Sequence, residues 1–194
     1  MSARDEILSA VRVALRDADR SELDVPRDYR SAHASGDIVA LFEERVVDYR
    51  ASFARCTPDD LVSTIRAALG SASKILVPQG FPVELDGVPD ADDLDSYDAV
   101  VTTAALGIAT TGTIVLDHGP GQGRRALSLV PDVHVCVLWE NQIVGGVAQA
   151  VARLDPARPQ TWISGPSATS DIELNRVEGV HGPRKLHVIV VNEG

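Results

Sequence analysis

Apolar residues recur at helical spacing through the first third of the chain, and short β-branched runs replace them after residue 74. Ile7, Leu8, Val11, Ala14 and Leu15 share one face of a helix predicted over residues 2–17, with Ser2 available to cap it. Ile38, Leu41, Phe42, Val46 and Tyr49 mark a second amphipathic helix over residues 37–50. Residues 18–35 between them are polar and include Pro26, the composition of a linker or extended arm. Thr57-Pro58-Asp59-Asp60 reads as a helix start: a hydroxyl cap, proline in the first turn and acids at the positive end of the dipole. Gly70 is its natural stop.

Strand-like runs follow at residues 75–77, 99–102, 113–116, 133–138, 161–164 and 186–191. Several are apolar on consecutive residues, which suits strands covered on both faces. A helical stretch over residues 144–154 lies between two of them, despite Gly145 and Gly146. Strands interleaved with helices predict an α/β fold, a layered and largely parallel sheet with flanking helices and crossover connections. The expected division is an N-terminal helical arm over residues 1–55 and an α/β domain over residues 56–194.

Composition narrows the function. A net charge of −10 and a pI near 4.8 repel the phosphate backbone, and no local basic patch offsets this, so nucleic acid is excluded as a partner. Anionic membranes are disfavoured on the same ground. The start of the chain has no signal-peptide layout, and no apolar run approaches the ~20 residues of a membrane span, so the expected location is cytoplasmic. Cys56 and Cys136 are expected as reduced thiols, and two cysteines cannot supply the four thiolates of an ordinary iron–sulfur cluster. No nicotinamide or flavin fingerprint is present, and no cofactor is expected.

Two segments combine glycine and proline with reactive side chains. The first runs from Ala105-Leu106-Gly107-Ile108-Ala109-Thr110-Thr111-Gly112-Thr113 to Asp117-His118-Gly119 and on through Pro120-Gly121-Gln122-Gly123-Arg124-Arg125. Free backbone N–H groups and paired arginines suit an anion there, although the spacing is neither a dinucleotide fingerprint nor a P-loop. The bland alternative is a surface loop with solvated arginines. The second segment is Ser164-Gly165-Pro166-Ser167-Ala168-Thr169-Ser170-Asp171-Ile172-Glu173, followed by Gly179-Val180-His181-Gly182-Pro183. Hydroxyls and bare N–H groups after a strand suit an anionic ligand, and ordinary helix capping explains the hydroxyls equally well. A nucleophile elbow is absent.

His181, on a turn shaped by two glycines and a proline, and His118 at a strand end are the candidate proton acceptors. His134 and His187 fall within strands and read as structural; His33 reads as solvated. Asp171, Glu173 and His181 match no strong metal-binding spacing, so no metal is expected. Loops at one end of a parallel sheet converge on its ligand crevice. His118 and His181 are therefore expected beside one pocket, with at least one of Arg124, Arg125 or Arg184.

Four of these pieces, in order, resemble the lactate-utilisation protein C family of LUD-domain proteins. They are Gly107-Ile108-Ala109-Thr110-Thr111-Gly112-Thr113-Ile114-Val115-Leu116; Leu129-Val130-Pro131 with His134; Gly165-Pro166-Ser167 with Asp171-Ile172-Glu173; and Gly179-Val180-His181-Gly182-Pro183. The likeness covers roughly residues 74–191. One departure is Thr110, where many members carry Glu, so no role rests on a carboxylate there.

The resemblance implies a fold similar to the sugar-phosphate isomerase and CoA-transferase group (NagB/RpiA-like). It also implies a subunit of a bacterial system that oxidises L-lactate to pyruvate. The electron carriers would then be separate iron–sulfur partner proteins, leaving this chain to bind a small carboxylate or to hold the complex together. In that reading Arg124, Arg125 or Arg184 grips the carboxylate, and His181 or His118 takes the hydroxyl proton. Thr111, Gly112, Gly165, Ser167, Thr169 and Asp171 complete the anion-binding set. The alternatives are an independent enzyme on a sugar phosphate or acyl-CoA, or a non-catalytic scaffold. Homo-oligomerisation is left open.

Overall fold

The computed structural model describes residues 2–19, 21, 24–26, 36–169, 177–178 and 182–192. Its centre is a parallel sheet with strand order β1 (Ser52–Cys56), β11 (Lys185–Val191), β6 (Val133–Trp139), β3 (Ala99–Thr103) and β2 (Ile75–Leu76). Alternation along β6 sends its side chains to opposite faces. Val135 and Val137 meet α3 (Leu61–Leu69) through Leu61 and Ile65. Cys136 and Leu138 meet α2 (Ile38–Asp48) through Phe42 and Val46.

A second sheet of order β7 (Ile143–Val144), β4 (Leu106–Ile108), β5 (Thr113–Leu116) and β8 (Thr161–Ile163) shares that α2 layer. Ile114 and Leu116 of β5 join the α2 cluster, while Val115 turns the other way, onto Ala150 of α4 (Val147–Arg153) and Leu154 beyond it. The order of layers is thus α3, parallel sheet, α2 with the second sheet, then α4. A short antiparallel pair, β9 (Ala168–Thr169) with β10 (Val177–Glu178), lies outside both sheets.

The expected α/β class, with a mostly parallel sheet and flanking helices, is the one observed. Part of the expected arm packs on that sheet. α2 and β1 belong to the core: Phe42 is fully buried, and β1 pairs with β11 over five residues. Only α1 (Ala3–Ala14) stands apart. It is closed by a capping box between Ser2 and Asp5 and contains no buried residue. Helix α3 also starts later than expected. Thr57 caps a turn by bonding Asp60, and the helix begins at Leu61.

Exposed segments without tertiary contacts are the preferred sites of nicking. Limited proteolysis is expected to cut first before Gly36 and to leave α2 and β1 on the same stable fragment as the parallel sheet. Early cleavage after α2 would show that this helix is not part of the stable core.

Candidate functional site

The amino-terminal ends of β6 and β11 and the whole of β8 meet around a cavity of about 300 Å³. Its wall is drawn from separate parts of the chain: Arg125, Leu129, His134, Ser164, Ser167 and Gly182. The segment after β8 is fixed to the approach to β11 by the Ser167 N–H, which donates to the Pro183 carbonyl at 2.9 Å. The Gly107–Leu116 motif joins through hydroxyls. Thr111 Oγ1 lies 2.7 Å from Thr113 Oγ1, which lies 2.8 Å from Ser164 Oγ on the cavity wall.

His134 is 1% exposed, and its Nε2 lies 2.8 Å from Thr102 Oγ1. Burial pushes its pKa down to about 4, so the ring is neutral at pH 7. Either tautomer satisfies Thr102, because the hydroxyl donates as readily as it accepts. Cys136, on the same face of β6, is fully buried; burial pushes its thiol up to about 12 and keeps it protonated.

The three arginines separate. Arg124 is held by Asp90, Nε donating at 2.9 Å, and by the Ala91 carbonyl. The hydrogen bond from Arg124 holds the Asp90 carboxyl below the usual carboxylate range. Arg184 pairs with Asp132, its Nε donating at 2.8 Å. Arg125 makes no ion pair among the described residues and lines the cavity. A guanidinium with no carboxylate partner among the described residues, beside serine hydroxyls and a neutral histidine, suits a small carboxylate.

The glycines expected to face an anion do other work. Gly112 (φ +58°) and Gly165 (φ +79°) lie against the end of α2. A Cβ would fall 2.7 Å from the Arg45 carbonyl carbon in the first case and 2.7 Å from the Tyr49 oxygen in the second. Close approach of a helix, not of a ligand, accounts for Gly112; Gly165 also lines the cavity. Thr111 is one hydroxyl removed from the wall.

His118 is not at this site. Thr113 begins β5 beside Ser164, whereas His118 follows the other end of that strand, in a left-handed conformation (φ +61°). The loop that carries it caps β3: Thr103 Oγ1 donates to the Pro120 carbonyl at 2.8 Å. His118 thus lies away from residues 164–168, its neighbours Asp117 and Gly119 lining a different cavity. His181 and Asp171 lie outside the described residues, as does Glu173; Thr169 is described only as backbone paired with Val177. Among the described residues no cluster of His, Cys, Asp or Glu is placed to hold a metal, and no helix is long and apolar enough to cross a membrane.

Sequence reasoning took His134 as structural, named Ser164 only as the head of the second segment, and did not single out Ser128, which also lines the cavity. The available signal for His134 was its position just inside a strand, three residues after Pro131, where the ring reaches the sheet's open end.

Fold and site together define an α/β protein with a small polar cavity at the amino-terminal end of its parallel strands. The LUD domain matches residues 62–191, and the chain belongs to that family. Lactate utilization protein C of Deinococcus radiodurans is 44% identical over 203 residues, covering 97% of this chain and 95% of that one. A protein of the same name from a Geobacillus species is 32% identical over 115 residues, 55% of this chain and 47% of the relative. The crystal structure of a DUF162 family protein from Deinococcus radiodurans is similar at 43% identity, with a TM-score of 0.67 over 79% of this chain and 96% of that one.

Proposed function

We propose that this chain is a component of L-lactate utilisation that binds lactate or pyruvate in the cavity between Arg125, His134 and Ser167, working in the cytoplasm with separate iron–sulfur proteins. One observation carries the reading: three of the four motifs that bear the family likeness line this cavity, through His134, Ser167 and Gly182, and the fourth is bonded to its wall where Thr113 meets Ser164. The names of the relatives supply lactate.

Arg125 holds the carboxylate, and Ser164 and Ser167 form the polar wall beside it. Oxidation of lactate to pyruvate releases two electrons and two protons, and the electrons pass to the partner proteins. His134, with its depressed pKa, is a weak base and serves as a hydrogen-bonding group to the substrate. His181 is the proposed proton acceptor, because its chain neighbours Gly182 and Pro183 line the same cavity.

The test is growth on lactate by strains carrying Arg125→Gln or His181→Ala, with the melting temperature of each purified protein. Both variants are expected to grow poorly while melting within a few degrees of the parent. Removing a general base typically slows a reaction ~100- to 10,000-fold, whereas one side-chain hydrogen bond is worth only ~0.5–1.5 kcal/mol of stability. Normal growth of the Arg125 variant would overturn this placement of the site.

A further inference from the structure

A larger cavity, about 640 Å³, opens at the opposite end of the parallel sheet, where β3 ends at Thr103 and β6 at Trp139. Its hydrogen-bond accounting is one-sided. Asp117 is 9% exposed and its carboxylate is fully engaged: Oδ1 accepts from the Gly119 N–H at 3.1 Å, and Oδ2 from Arg158 at 2.8 Å. Gln142 is equally committed, Oε1 to the Trp139 N–H and Nε2 to the Ala104 carbonyl. Thr103 Oγ1 is spent on Pro120.

Donors are left over. Gln122 is 4% exposed, and its Oε1 accepts from the Asp117 N–H at 2.6 Å, while its Nε2 has no acceptor among the described residues. Among the described residues Arg153 donates only to the Asn141 carbonyl, at 3.3 Å. The unblocked backbone of Gly119 brings the polar groups together. A Cβ there would lie 3.1 Å from Gln122 Nε2, 3.5 Å from Arg158 Nη2 and 3.0 Å from Asp117 Oδ1. Two arginines against one aspartate leave the lining with one positive charge, in a chain whose net charge is −10. Leu106 and Leu154 supply apolar wall.

We propose that this cavity is a second binding site, specific for an organic anion whose apolar body is too large for the lactate cavity. Arg153, Arg158 and the Gln122 amide take the anionic head, and the leucines take the body. Spare donors without acceptors select an anion, and a volume roughly twice that of the first cavity falls in the range of small-molecule sites. A carboxylate and a phosphate head satisfy the same donors.

The two tryptophans separate the two sites, since Trp139 lines this cavity and Trp162 the other. In a Trp162→Phe protein, emission reports Trp139 alone. That protein is titrated with hexanoate and with hexyl phosphate, which share a body and differ in head, and with L-lactate. A saturable change with hexanoate or hexyl phosphate, and none with lactate, is expected. Gln122→Glu keeps the acceptor and removes the donor, and Arg153→Gln removes the exposed charge. Each is expected to weaken binding about tenfold, the effect of one charge-assisted hydrogen bond. No saturable change with either six-carbon probe, or binding undiminished in both variants, would overturn the proposal. Neither result bears on the lactate cavity.

Discussion

Gly112→Ala and Gly165→Ala are each expected to destabilise the protein by about 3–5 kcal/mol, the largest single-site losses in this fold. Two costs add. Each residue sits at positive φ, which costs a side-chain-bearing residue ~1–3 kcal/mol when the surroundings impose it. Each also leaves no room for a methyl group, because backbone atoms of Arg45 and Tyr49 stand 2.7 Å from the added carbon. Overpacking of this kind costs a further ~1–3 kcal/mol, and backbone cannot swing aside as a side-chain tip can. Against a total stability of about 5–15 kcal/mol, the loss should lower the melting temperature by about 10 °C. Gly36→Ala is the control: its φ is +108°, but nothing lies within 4 Å of the added carbon. It should lose only the strain, about 1–2 kcal/mol. If Gly112→Ala melted with the parent, α2 would not be seated on the second sheet as described.

These two glycines show where sequence reading stops. Their density beside hydroxyls was visible, but a glycine that admits a ligand and one that admits a helix look alike in sequence. The seat for α2 pairs Gly112 with Arg45 and Gly165 with Tyr49, 67 and 116 positions apart, and spacing along the chain carries no such pairing. The interior strands β3, β6 and β11 were legible because both faces are covered, which writes continuous runs such as Val188-Ile189-Val190-Val191. β1 was not, since Ser52-Phe53-Ala54-Arg55-Cys56 is an edge strand of mixed polarity and only Cys56 is buried. Helix α2 was predicted, but amphipathicity reveals which face is covered and not what covers it.

The arginines followed the same logic. Arg124, Arg125 and Arg184 are chemically equal in sequence, and only the folded chain brings Asp90 to the first and Asp132 to the third. His134 read as structural because it lies in a strand. Its neighbours Val133 and Val135 conceal that it is the second residue of β6, at the open end of the sheet.

Acidification is expected to destabilise the protein between about pH 6.5 and 4, and His134→Gln to remove most of that dependence. The native imidazole titrates near 4 because burial disfavours its charge, against 6.5 in the unfolded chain. Between those values the unfolded state holds a proton that the native state does not, so each step down in pH favours unfolding. The loss is absent above about pH 6.5, complete near pH 4, and on the order of 3 kcal/mol. His187, depressed first by burial and then by Lys185, acts in the same direction. The hydrogen-bonded carboxyls of Asp90 and Asp98 are also held low, but their contribution is lost only below the ordinary carboxylate value of 3.8, outside this window. Urea unfolding at pH 7 and pH 4.5 should therefore show a steep fall for the parent and a shallower one for His134→Gln. Parallel curves would mean that His134 is not buried as a neutral ring. The proposed site adds a second test by linkage. A carboxylate bound beside His134 favours the imidazolium, so pyruvate should bind more tightly as pH falls and should lessen the acid-induced loss of stability.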